Sequence, residues 1–68
     1  MSIDWKATGS LERRVANGSY HWEKDGPLAE LVGYAVGRSH HAYRVTEGTT
    51  VYERADIFAL HERPDFPK

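Results

Sequence analysis

The sequence contains no cysteine. That excludes a disulfide framework, a thiolate metal site and a cysteine nucleophile. It leaves the compartment open, although small secreted domains more often carry bridges. No apolar run approaches the roughly 20 residues that span a bilayer. Met1 to Ser10 holds Asp4 and Trp5 without an apolar core, so it is not read as a signal peptide. Neither sign of charge dominates: nine basic residues stand against ten acidic ones, for a net charge of −1. An overall basic field for nucleic acid and an acidic mimic of it are both excluded. Repeats, low-complexity tracts and Gly-rich phosphate loops are also missing.

What remains is a chain of 68 residues, 40% hydrophobic and 28% charged, which reads as one small globular domain. Its aromatic share is 12%. A domain this short buries only about 60% of its unfolded surface and needs such large side chains. The basic set is six Arg and three Lys, a bias toward residues that make planar contacts at interfaces.

Ser10 to Gly18 allows two readings. Ser10 caps a short helix that places Leu11 and Val15 on one face and ends at Asn17-Gly18. Alternatively, Asn17-Gly18 is a hairpin turn pairing Leu11–Ala16 with Ser19–Lys24. The local preference of Leu-Glu-Arg-Arg favours the helix. Asn17-Gly18-Ser19 spells a glycosylation site but is read as a turn. Ser19 to Asp25 alternates, with Tyr20 and Trp22 on one side. Leu28 to Val36 is either a helix opened by Pro27 or a long strand bent at Gly33; a helix costs about 1 kcal/mol there. His41 to Glu47 and Thr49 to Glu53 read as strands around a turn at Glu47-Gly48. Ile57 to Leu60 is a final strand or one helical turn capped by Asp56.

Short strands with turn signals between them argue for a small barrel or sandwich. On that reading, residues 10–61 resemble the Sm-like small barrels, a short helix followed by five bent strands. Three places carry the resemblance. Glu23-Lys24-Asp25-Gly26 sits at the first inter-strand turn, Gly33 at the bend of the long second strand, and Val51 to Leu60 at the last two strands, joined by an Arg-x-Asp turn. The spacing of Lys24-Asp25-Gly26, Tyr43 and the closing segment looks most like the bacterial Rho-termination inhibitors. That resemblance implies a protein that acts by contacting another protein.

The expected fold is therefore all-β: a five-stranded Sm-like or SH3-like barrel over residues 10–62 with one short N-terminal helix. A flexible leader over 1–9 and an irregular, Pro-containing tail over 63–68 flank it. The alternative is an α+β domain with residues 27–36 helical between two hairpins. An edge strand at Thr49–Arg54 is expected either to meet a second copy or to be covered by the tail. Trp5 and Phe66 are expected to fold back onto the core.

No catalytic constellation emerges. Ser39-His40 is only a neighbouring pair, and a triad must converge in space. His21, His40, His41 and His61 lack metal-ligand spacing and read as polar surface. No metal, cofactor or small-molecule substrate is expected. The stronger signal is a local basic face of Arg38, His40, His41, Arg44 and Arg54, extended by Arg13 and Arg14. Against it stands a plainer arrangement in which Tyr43, Val45 and Tyr52 are core and the arginines pair with Glu47, Glu53 and Asp56. The function expected is a non-enzymatic protein-binding module that modulates or inhibits a larger protein machine. The alternative is an RNA or single-stranded nucleic-acid binding domain that stacks Tyr43 or Tyr52 on a base. The setting expected is the cytoplasm of a bacterial or phage-infected cell, away from membranes.

Overall fold

The computed structural model describes residues 3–67. Residues 1 and 2 of the expected leader and residue 68 of the expected tail lie outside the described residues. In chain order the elements are β1 (Thr8–Arg14), β2 (Tyr20–Pro27), α1 (Leu28–Gly37), β3 (Tyr43–Glu47), β4 (Thr50–Tyr52) and α2 (Arg54–His61). The four strands form one antiparallel sheet in the order β2-β1-β3-β4. The chain is thus two hairpin–helix halves, joined side by side where β1 pairs with β3.

This overturns the expected five-stranded Sm-like or SH3-like barrel. The sheet is open, with β2 and β4 as its edges, and the fold is α+β. Each place that carried the resemblance folds differently: residues 23–26 lie within β2, Gly33 lies within α1, and the Arg-x-Asp turn opens α2.

The expected N-terminal helix over residues 11–16 is also overturned; most of that segment is β1. Pairing on both sides outweighs the helical preference of Leu-Glu-Arg-Arg, a difference of tenths of a kcal/mol per residue. Gly9 and Leu11 are the buried residues of β1, a period of two. The hairpin closes through Val15, whose N–H donates to the Ser19 carbonyl at 2.8 Å and whose carbonyl accepts from Gly18 N–H at 2.9 Å. Gly18 takes φ of 88°, a left-handed conformation that a side chain would strain.

Residues 28–37 are helical for a reason that can be weighed. Leu28, Leu31, Val32 and Ala35 follow helical spacing, and all are buried. In a strand, the adjacent Leu31 and Val32 would face opposite sides of the sheet. Burying a large aliphatic side chain contributes about 1.5–3 kcal/mol, and three such residues outweigh the cost at Gly33. Pro27 holds the N-cap with an extended ψ of 144°. No side chain caps α1. Instead the Ala7 carbonyl accepts Leu28 N–H at 2.9 Å, and the Trp5 carbonyl accepts Ala29 N–H at 3.0 Å. In α2, Glu53 and Asp56 form a reciprocal capping box, and Ile57 and Leu60 face inward.

Both helices cover one face of the sheet. Leu11, Leu28, Leu31, Val32, Ala35, Tyr43, Val45, Ile57 and Leu60 form the core. Trp5 meets Phe66 edge-on at 5.2 Å, and Phe66 lies 4.8 Å from His61. Ile3, Trp5 and Phe66 all pack against the core.

Candidate interaction surface

The seven basic residues singled out in the sequence lie at two places. Arg13, Arg38, His40, His41 and Arg54 gather at one corner on the helix-covered side. Arg14 and Arg44 lie on the opposite, uncovered face of the sheet. Arg13 and Arg14 alternate along β1, and Arg44 pairs with Glu12, so the sheet itself separates the two groups.

The corner is organised by Glu23. Leu11 pairs with Lys24 and Glu12 with Trp22, so Glu23 is the extra residue of a bulge in β2. Its carboxylate accepts the Tyr34 hydroxyl at 2.6 Å and the Tyr43 hydroxyl at 3.3 Å, and lies 3.6 Å from Arg13 Nε. The Tyr34 hydrogen bond leads in holding Glu23 below the usual carboxylate range. The same bond pushes the Tyr34 phenol up, while burial does so for Tyr43. Arg38 lies over the Tyr34 ring at 3.8 Å. Arg54 Nη1 donates to the His41 carbonyl at 3.1 Å. His41 stacks at 4.1 Å on His40 and meets Tyr43 edge-on at 6.0 Å. Desolvation first, then the charges of His40 and Arg13, lower the His41 pKa. Much of the basic character found in the sequence here is spent on internal contacts. Among the described residues, no group of three His, Cys, Asp or Glu side chains is placed to hold a metal ion.

The uncovered face is built differently. Directly paired residues share a face, which groups Tyr20 and Arg14, then Trp22, Glu12 and Arg44, then Asp25, Ser10, Thr46 and Val51. Trp22 is 63% exposed and Val51 46%. The Trp22 indole N–H donates to Asp25 Oδ1 at 2.8 Å, and the Ser10 hydroxyl donates to the same oxygen at 2.7 Å. Those two bonds, Trp22 first, lower the Asp25 pKa. Arg44 donates through Nε to Glu12 at 3.0 Å and lies 3.9 Å from the Tyr20 ring centre. Trp22 is thereby held in place while most of it stays in water.

Sequence reading placed Tyr20 and Trp22 on one side of a strand but not on which side of the sheet. Period two does not distinguish the covered face from the bare one. The role of Glu23 had no sequence signal, because nothing in residues 20–27 announces the bulge.

Among the described residues no helix is long and apolar enough to cross a membrane. No protein-family model, curated protein or solved structure matches the chain.

Proposed function

We propose that this protein is a non-enzymatic protein-binding module that docks through the bare face of its sheet. The observation that carries the reading is Trp22, 63% exposed and tethered through its indole nitrogen to Asp25. Trp, Tyr and Arg are the residues most enriched where binding energy concentrates, and Trp22, Tyr20 and Arg44 stand together here. The tethers reduce the ordering that docking would otherwise require. Charge selects the partner class: Arg14 and Arg44 are balanced on this face by Glu12 and Asp25, which suits a mixed-charge protein surface better than a phosphate backbone. Modulation of a larger machine is the role this size and surface support.

Affinity capture from a native lysate tests it. Wild type should retain a nuclease-resistant protein partner, and Trp22→Ala should lose it while its circular dichroism remains that of the folded domain. Equal retention by both refutes the reading. A second reading draws on the same aromatic pair, since exposed aromatics on an open antiparallel sheet also stack single-stranded bases. Its test is fluorescence anisotropy with labelled mixed-sequence RNA at two salt concentrations. Binding that weakens with salt and is abolished by Arg14→Glu with Arg44→Glu, both on this face, would put RNA in place of the protein partner.

A further inference from the structure

At the far edge of the sheet, away from Trp22, lies a second exposed feature. Among the described residues β4 ends the sheet, so its outer row of backbone N–H and C=O groups has no strand beside it. Between that edge and α2 runs a groove of about 380 Å³. Tyr52, Ala59 and Leu60 give it an apolar floor and walls, and Val51, whose side chain lies on the bare face, borders it at the strand edge. Thr50, Asp56 and Arg63 complete the lining. Residues 64–67 do not line it, and Phe66 among them is engaged with Trp5 and His61.

We infer that this groove takes an extended peptide from a partner protein, added to β4 as an antiparallel fifth strand. A free strand edge beside a helix supplies main-chain hydrogen bonds on one side and a side-chain pocket on the other. The polarity follows from the ends of the groove. Asp56 lies in the first turn of α2, where its carboxylate accepts Glu53 N–H at 3.1 Å, next to the end of β4. Arg63 lies seven residues further on, about 10 Å along the helix direction. A peptide antiparallel to β4 therefore presents its N-terminal side to Asp56 and its C-terminal side to Arg63. Asp65 holds Arg63 through Nε and Nη2 at 2.9 and 3.3 Å, which fixes the guanidinium and leaves Nη1 to donate. The complementary sequence has a basic residue, an apolar residue two positions on and a carboxylate two positions beyond that, all on the groove side of the strand.

The probes are two fluorescein-labelled capped pentapeptides, Lys-Thr-Val-Thr-Glu and the charge-exchanged Glu-Thr-Val-Thr-Lys, whose first, third and fifth side chains share one side of a strand, titrated into the full chain. The first should bind at least about tenfold more tightly than the second. Ala59→Arg, an exposed position on the groove wall, should weaken the first by about tenfold or more. Arg63→Glu, which leaves an acid at both ends of the groove, should abolish the preference between the two peptides. Trp22→Ala should leave peptide affinity unchanged, which separates this groove from the bare face of the sheet. No binding of either peptide up to about 1 mM, or binding indifferent to Ala59→Arg, overturns the assignment. So does a concentration-dependent dimer in sedimentation that Ala59→Arg abolishes, since the occupant would then be a second copy.

Discussion

Replacing Gly9 with alanine tests the central joint of the fold. Gly9 sits in β1 one residue before Ser10, which pairs with Thr46 of β3. A Cβ at Gly9 would stand 2.7 Å from the Thr46 carbonyl oxygen, with Leu31 Cδ1 and Glu47 Cβ each at 3.5 Å. The obstruction is backbone, so no rotamer change relieves it. Either β1 and β3 part, weakening their ladder, or α1 lifts from the sheet. Overpacking of this kind costs about 1–3 kcal/mol. A domain of this length has roughly 3–10 kcal/mol of total stability, so the loss is a large fraction of the whole. At about 4–8 °C per kcal/mol, Gly9→Ala should melt some 4–24 °C below wild type, followed by circular dichroism. A midpoint within about 2 °C of wild type would refute the β1–β3 register and with it the open-sheet topology.

Gly33→Ala should act in the opposite direction. Its Cβ meets nothing closer than Phe66 Cζ at 4.0 Å, an ordinary contact. Helix propensity then favours the variant by about 1 kcal/mol, seen as a rise of about 4–8 °C in Tm; no rise would argue against the helix at that point. Glu23→Gln should show how the corner depends on pH. Glu23 is more acidic folded than unfolded, chiefly through the Tyr34 hydroxyl. Its contribution is therefore complete above the unfolded value of about 4.3 and disappears as pH falls through the lower folded value. Glu23→Gln should melt below wild type at neutral pH, with the gap closing on acidification through that window. A gap that stays constant down to about pH 3 would rule the linkage out.

The parts of the fold legible in the sequence are those fixed by local chemistry. The alternation around Tyr43 and Val45 marks β3, and the glycines at 18 and 48 mark two turns, each with positive φ. The helical spacing of Leu28, Leu31, Val32 and Ala35 was present too, but Gly33 obscured it. Other features needed partners distant in the chain. Leu11 becomes a strand residue because Lys24 and Val45 flank it, and neither lies within reach of a local propensity. The basic residues were legible as residues, not as a face. Strand alternation sent Arg13 and Arg14 to opposite sides, and Glu12 and Glu23 took up Arg44 and Arg13. The plainer arrangement foresaw Tyr43 and Val45 in the core, yet paired the arginines with other acids.

The division into two hairpin–helix halves has a consequence for how the chain finds itself. The pairing of β1 with β3 and the packing of α1 on α2 hold the halves together. Covalently they are linked only by the short stretch of residues 38–42. Nothing in the pairing of Leu11 with Val45 records that both belong to one molecule. What keeps it internal is local concentration, which a short tether raises to the order of millimolar or more. Cutting that tether removes no core contact, but it turns docking of the halves from a first-order event into a second-order one.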